Sequence, residues 1–249
     1  VWASLARVAA LASPPTDVLA LDPCVGAVSV AARRKSARGE WLLHEAYEER
    51  ATGHAERLMP MIAEVLSMSG TGVPELDAIA VTNGPGTFTG MRIGVAAARG
   101  MALAAGLPVV AATSLAVMAH RADLLLGARR EGRRIAVAVD ARRGDVYLQL
   151  FGENVGEPLT EPAVVSPAAA AALIAEAPTV VVGTGASAVV AAAGNDSRAT
   201  AMLPGLQPHA RALALLAPAL PRVDPVRPLY LRAPDVKPPT APILRSEPV

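Results

Sequence analysis

The 249 residues include a single cysteine, Cys24. One thiol excludes an intramolecular disulfide and any cysteine-cluster metal centre; it fits a reducing cytoplasm, the location expected for this chain. No histidine lies near Cys24 in sequence, so a small buried residue is expected rather than a nucleophile. His44, His54, His120 and His209 are scattered and form no metal-ligand spacing. A surplus of either charge is also missing: the formal net charge is +1, so no global field draws the chain to nucleic acid or to an anionic membrane. The basic residues cluster locally instead, as Arg33, Arg34, Lys35 and Arg38 and as Arg129, Arg130, Arg133 and Arg134, in polar stretches expected to be solvated loops. No apolar run is long enough to span a bilayer. Met101 to Ala119 is uncharged, but Gly106 and Pro108 break it into helix, turn and strand. Val1 to Ser13 ends in a run resembling a signal cleavage site, yet it has no basic start and Arg7 splits it, so an N-terminal extension is expected.

What is present is apolar. At 52% hydrophobic content the chain can bury a core as one large domain or two small ones. Val18 to Asp22, Ala27 to Ala32 and Trp41 to Tyr47 read as an antiparallel meander, followed by an amphipathic helix over Glu56 to Ser67. The strand Asp77 to Thr82 feeds a glycine-rich loop and a helix from about Met91 to Ala105. The strand Val109 to Ala112 and a helix capped by Ser114 complete a parallel crossover. The polar stretch Gly127 to Arg134 is a natural boundary. Beyond it come a hairpin (Ile135 to Asp140 with Asp145 to Phe151), alanine-rich helix near Pro167 to Ala175, and a strand over Thr179 to Val182. Each half opens with an apolar strand ending in aspartate, Asp22 and Asp140, which predicts a duplicated α/β fold. The expected division is an extension over 1–16, a first lobe over 17–127, a second over 134–224 and a proline-rich segment over 225–249, loose after Ala233.

The most informative stretch is Asn83-Gly84-Pro85-Gly86-Thr87-Phe88-Thr89-Gly90-Met91-Arg92-Ile93-Gly94. It is neither a Walker loop nor a dinucleotide fingerprint. Glycines between a strand and a helix serve equally well as a phosphate cradle or as a tight turn with close helix packing. Gly90, Gly94, Ala97, Ala98 and Gly100 leave the following helix poor in bulk. Each helical glycine costs about 1 kcal/mol relative to alanine, so a close neighbour, a helix or another subunit, is expected to compensate.

Gly84 to Gly94 is similar to the Gly-Pro-Gly-Ser-Phe-Thr-Gly-Leu-Arg-Ile-Gly hallmark of the TsaB family, the YeaZ-like, glycoprotease-like paralogue of TsaD. The resemblance extends to His54 with Arg57-Leu58-Met59-Pro60, to Asp77-Ala78-Ile79-Ala80, to Leu107-Pro108-Val109 and to Thr113-Ser114-Leu115. In the second half it covers Asp140-Ala141-Arg142-Arg143-Gly144-Asp145-Val146-Tyr147 and Pro228-Leu229-Tyr230-Leu231-Arg232; Ala186 to Arg222 carries no matching motif. The resemblance implies a duplicated actin-like fold of the acetate-kinase and Hsp70 superfamily. It implies a non-catalytic scaffold in the formation of N6-threonylcarbamoyladenosine on tRNA, pairing with a TsaD-like catalytic subunit and working with a TsaE-like ATPase. It places subunit pairing on the first-lobe helices, with His54, Arg57, Gly84, Pro85, Gly86, Thr87, Phe88, Thr89, Gly90, Arg92, Gly94 and Ala98 as the interface and motif residues. A homodimer is expected when the partner is absent. On that expectation, Gly94→Leu leaves the fold intact and weakens association.

The catalytic relative carries a His-x-x-x-His pair where this chain has Ser114 and Met118. Actin-like ATPases follow their first aspartate with hydroxylic residues and glycine; here Pro23 and Cys24 follow Asp22, removing an amide and both hydroxyls. Asp22 and Asp140 then read as remnants of a nucleotide site, and Gly183-Thr184-Gly185 as either an adenosine-loop remnant or a plain turn. No cofactor is expected in this chain, ATP and metal belonging to the partner subunits, and tRNA is met through the complex. The rival expectations are an active small-molecule kinase or ATPase using Asp22 and Asp140, and a metallopeptidase-like protein.

Overall fold

Short apolar runs, buried on both faces in the central strands, sort the chain onto two sheets. The computed structural model describes residues 14–195 and 198–232; the N-terminal extension up to residue 13 and the tail from Ala233 lie outside the described residues. The first half runs β1 (Val18–Asp22), β2 (Ala27–Lys35), β3 (Trp41–Glu49), α1 (His54–Ser69), β4 (Ala78–Thr82), α2 (Phe88–Ala105), β5 (Val109–Ala112) and α3 (Ser114–Leu126). The second runs β6 (Arg134–Asp140), β7 (Val146–Phe151), β8 (Ala163–Val165), α4 (Pro167–Ile174), β9 (Thr179–Val182), α5 (Ala186–Ala193), β10 (Ala199–Ala201) and α6 (Ala210–Leu216). The sheet orders are β3-β2-β1-β4-β5 and β10-β9-β6-β7-β8. In each, the first three strands form an antiparallel meander, and the fourth and fifth add parallel to the first. The two halves therefore repeat one topology, the duplicated α/β fold expected from the sequence. Among the described residues no helix is long and apolar enough to cross a membrane.

β1 is buried throughout because helices cover both faces of its sheet. Leu19 and Leu21 face the core shared with α1 and α2, where Leu58, Ile62, Val65 and Val95 pack. Val18 and Ala20, pointing the other way, meet Ala210, Leu213 and Ala214 of α6. Small residues (Ala20, Ala31, Ala78 and Ala80) line that second face and let α6 sit close. α3 in turn packs Leu115, Met118 and Ala122 on Ile135 and Val137 of the second sheet. The exchange is reciprocal. The helix that ends the first half lies on the second sheet, and α6, within the segment expected in the second lobe, lies on the first. After α6 the chain runs beside β5, where Val223 donates its amide to the Val109 carbonyl at 2.9 Å.

Several local expectations need correction. α2 begins at Phe88 rather than Met91, because the Thr87 hydroxyl caps it by accepting the Gly90 amide at 3.1 Å. Thr113, not Ser114, caps α3, accepting the Ala116 amide at 3.0 Å. β8, β10 and α6 are too short or too alanine-rich to show a clear period. The basic clusters are not simply solvated loops. Arg33, Arg34 and Lys35 belong to β2, and Arg34 donates to the Ser69 carbonyl at 2.6 Å. Arg130 is 6% exposed and fastens the interlobe linker, donating to the carbonyls of Arg133 (2.7 Å), Gly152 and Glu153 (3.0 Å) while pairing with Asp123.

Candidate functional site

The glycine-rich loop closes on its own chain. Thr87 donates its amide to the Cys24 carbonyl at 2.7 Å. A Cβ on Gly86 would run into that same carbonyl, and one on Gly90 into the carbonyl of Pro23. A Cβ on Gly94 would stand 2.9 Å from the Pro23 ring. The glycines thus allow the turn between β1 and β2 to lie directly on α2. Gly90, Gly94 and Ala98 are buried on this side of the helix. The compensating neighbour is the β1–β2 turn, not a second subunit, so Gly94→Leu would disturb the fold itself. That expectation is overturned.

Asp22 is 1% exposed at the centre of this turn. Its Oδ1 accepts the Cys24 amide at 3.0 Å, while Oδ2 has no hydrogen-bond partner among the described residues. Burial pushes its carboxyl up to about 7. Burial also pushes the Cys24 thiol well above its usual range. The thiol lies 3.3 Å from the Thr82 carbonyl, a packed hydrogen-bonding group rather than a nucleophile. The expected histidines are structural too. His54 is buried, with Nε2 3.1 Å from the Val25 carbonyl. His209 stacks on Tyr47 with centroids 4.8 Å apart, accepts the Arg211 amide, and is lowered to about 4 by burial and neighbouring arginines. Ser114 donates its hydroxyl to the Pro85 carbonyl, and Met118 lies in the core. Arg57 on α1 makes a bidentate pair with Glu64 (2.7 and 2.8 Å) and reaches Glu48 at 2.8 Å. Among the described residues no three His, Cys, Asp or Glu come together as a metal site.

The other remnant, Asp140, is exposed, and it lines a cleft of about 660 Å³ between the lobes. Here three sequence motifs far apart in the chain meet. Gly86 to Thr89 form one wall, the β6–β7 hairpin another, and Leu229 to Arg232 the third. The last of these is a strap. Leu229 donates its amide to the Asn83 carbonyl at 2.7 Å. The Tyr230 hydroxyl accepts Arg92 Nε at 2.8 Å. The Arg232 guanidinium donates to the Ala141 carbonyl at 3.1 Å and pairs with Asp145 in the second lobe. Arg92 also lies over the Phe88 ring at 3.6 Å, and Phe88 meets Tyr230 with centroids 5.4 Å apart. Sequence reasoning matched the strap to a family motif but missed that it joins the lobes; the pairing of Arg232 with Asp145 leaves no local signal.

The hairpin in this cleft is held in an unusual backbone. Asp145 donates its amide to the Arg142 carbonyl at 3.2 Å, and the turn between them places Arg143 at φ 57° and Gly144 at φ 83°. Arg142 itself lies at φ 62°. Hairpin turns of this kind favour Asn-Gly at the two central positions. Arginine there costs about 1 kcal/mol or more. Arg143→Asn is therefore expected to raise stability by about 1 kcal/mol, read as a higher melting temperature. An unchanged or lower one would show that the contacts of the arginine side chain outweigh the backbone cost. Asp140 supports the turn, its Oδ1 accepting the Arg142 amide at 2.7 Å. Thr184, of Gly183-Thr184-Gly185, lies against the end of β6 with its hydroxyl accepting the Asp140 amide at 3.0 Å.

Away from the cleft, α1 and α2 pack side by side. Met59 is 54% and Leu103 87% exposed there, with Ala63, Ala96 and Gly100 also exposed.

The comparisons with known proteins agree with this architecture. The family model described as TsaD, tRNA N6-adenosine threonylcarbamoyltransferase, matches residues 47–202. The tRNA threonylcarbamoyladenosine biosynthesis protein TsaB of Escherichia coli is 37% identical over 130 residues, 52% of this chain and 52% of that protein. The chain thus spans about half the length of that curated relative. An uncharacterized protein of Mycobacterium tuberculosis is 33% identical over 90% of this chain and 95% of its own length. The structure of YeaZ from Pseudomonas aeruginosa superposes with a TM-score of 0.70 at 32% identity, covering 87% of this chain and all of that one. With the glycine-rich loop, the strained hairpin and the strap gathered on one duplicated fold, the chain belongs to the TsaB/YeaZ family, which carries the TsaD-like glycoprotease domain.

Proposed function

We propose that the chain is a scaffold subunit of the complex that forms N6-threonylcarbamoyladenosine on tRNA, pairing with a TsaD-like catalytic subunit and acting beside a TsaE-like ATPase. The observation that carries this reading is the outward face of α2. Leu103, 87% exposed, stands one turn from exposed Gly100 on α2. Large apolar side chains among small ones let another helix pair approach closely and anchor there. The same face serves a second copy of this chain when the partner is absent. ATP and metal are supplied by the partner subunits.

The test is sedimentation of the purified chain mixed with its cognate TsaD-like subunit. A tight complex is expected, weakened about 30-fold by Leu103→Glu, as for loss of an anchor contributing about 2 kcal/mol. The melting temperature of the variant should not fall, because so exposed a side chain supports little of the core. Equal association of variant and parent would remove α2 from the interface. ATP turnover by the isolated chain, lost on Asp22→Ala, would replace the scaffold reading with the kinase one.

A further inference from the structure

We propose that the interlobe cleft seats one nucleotide of single-stranded RNA, with its phosphate on the arginines of the β6–β7 hairpin and its base against Phe88 and Tyr230. The scaffold reading is needed only to choose RNA over other sources of a nucleotide. Four observations support the site. The cleft, about 660 Å³, lies within the range of small-ligand sites, about 300–1,000 Å³. Although the chain is nearly neutral, Arg142 and Arg143 line this one cavity beside Asp140, and Arg232, also at its wall, is paired with Asp145. Asp140 is turned to the hairpin backbone through the Arg142 amide. Aromatic residues make up only 3% of the chain, yet Phe88 and Tyr230 stand at the cleft 37% and 41% exposed, where a folded protein ordinarily buries such rings. Arg92 backs the Phe88 ring at 3.6 Å. Finally, two consecutive arginines occupy left-handed backbone that asparagine or glycine would adopt at lower cost. Stacked rings beside guanidinium groups are how proteins hold an unstacked base and its phosphate.

The experiment is fluorescence anisotropy of a labelled single-stranded decaribonucleotide titrated with the full chain. Saturable binding is expected, weakening between about 50 and 200 mM salt with a log–log slope of about −0.7 for one neutralised phosphate. The double variant Arg142→Gln with Arg143→Gln should bind about tenfold more weakly and lose most of that slope. The double change to lysine should keep both within about threefold, since it keeps the charges. Phe88→Ala should weaken binding about tenfold without altering the slope. Melting curves identify any variant that has not folded, and the lysine pair keeps the comparison decisive if the glutamine pair has not. No binding by the parent chain, or binding indifferent to the glutamine pair, overturns the proposal. So does adenosine monophosphate displacing the oligomer at equal concentration, which would assign the cleft to a free nucleotide. Sedimentation with the catalytic subunit separates the two claims. Pairing without RNA binding refutes the cleft and keeps the scaffold; RNA binding without pairing does the reverse.

Discussion

Gly90→Ala is expected to destabilise the chain by about 3 kcal/mol or more, because the added methyl has only backbone to displace. Gly90 sits one turn into α2, and a Cβ there would run into the Pro23 carbonyl oxygen and come within 2.6 Å of the Thr87 hydroxyl that caps the helix. A flexible side chain could rotate aside; a carbonyl fixed in the β1–β2 turn cannot. Moving α2 outward would also loosen the Thr87 cap, worth about 1 kcal/mol in helices generally. Urea unfolding of the full chain measures this as a lowered midpoint. Gly100→Ala is the control on the same helix. Nothing lies within 4 Å of the Cβ it would add, so a gain of about 1 kcal/mol or less is expected. If the two substitutions behaved alike, α2 would not be seated on the turn.

The second large effect is one of pH. Asp22 is raised from about 4 to about 7 by burial. A carboxyl raised in the folded state holds its proton more tightly there than in the unfolded chain. Its contribution is therefore complete below about pH 4 and is lost as pH rises through about 7. The loss is on the order of 4 kcal/mol for a shift of this size. Above that window a charged Oδ2 sits buried with no hydrogen-bond partner among the described residues. Asp22→Asn keeps the Oδ1 that accepts the Cys24 amide and cannot ionise. The variant should match its parent near pH 4 and exceed it in melting temperature near pH 8, with the parent's decline between them removed. Parallel curves for the two proteins would show that Asp22 does not titrate in this window.

The elements legible in sequence were those carrying their own period or punctuation. The apolar run ending in aspartate at Val18 to Asp22 and its echo at Ile135 to Asp140 gave the duplicated sheets, and the glycine-rich loop marked the crossover between β4 and α2. What the sequence left hidden is where glycine or alanine is there for a distant neighbour. Gly94 reads alike whether it faces another subunit or Pro23, since only the fold brings a ring to 2.9 Å from its missing Cβ. Alanine-rich α6 has no apolar stripe to announce it, being apolar on nearly every side, and its place on the first sheet depends on small residues more than a hundred positions away. The cleft was legible in parts only. Its three motifs were recognisable one by one, but the contact of Arg232 with Asp145 that joins them is tertiary.

The placement of α6 also sets the order in which the chain can be completed on the ribosome. One face of the first sheet, with Val18, Ala20, Ala31, Ala80 and Val110, is covered by residues that follow Ala112 by roughly a hundred positions. At typical synthesis rates that face stays bare for roughly 5 to 20 s after its last strand has emerged. For that interval the nascent chain presents a flat, alanine-floored apolar surface, a natural station for a chaperone, and translation slowed within the second half prolongs it.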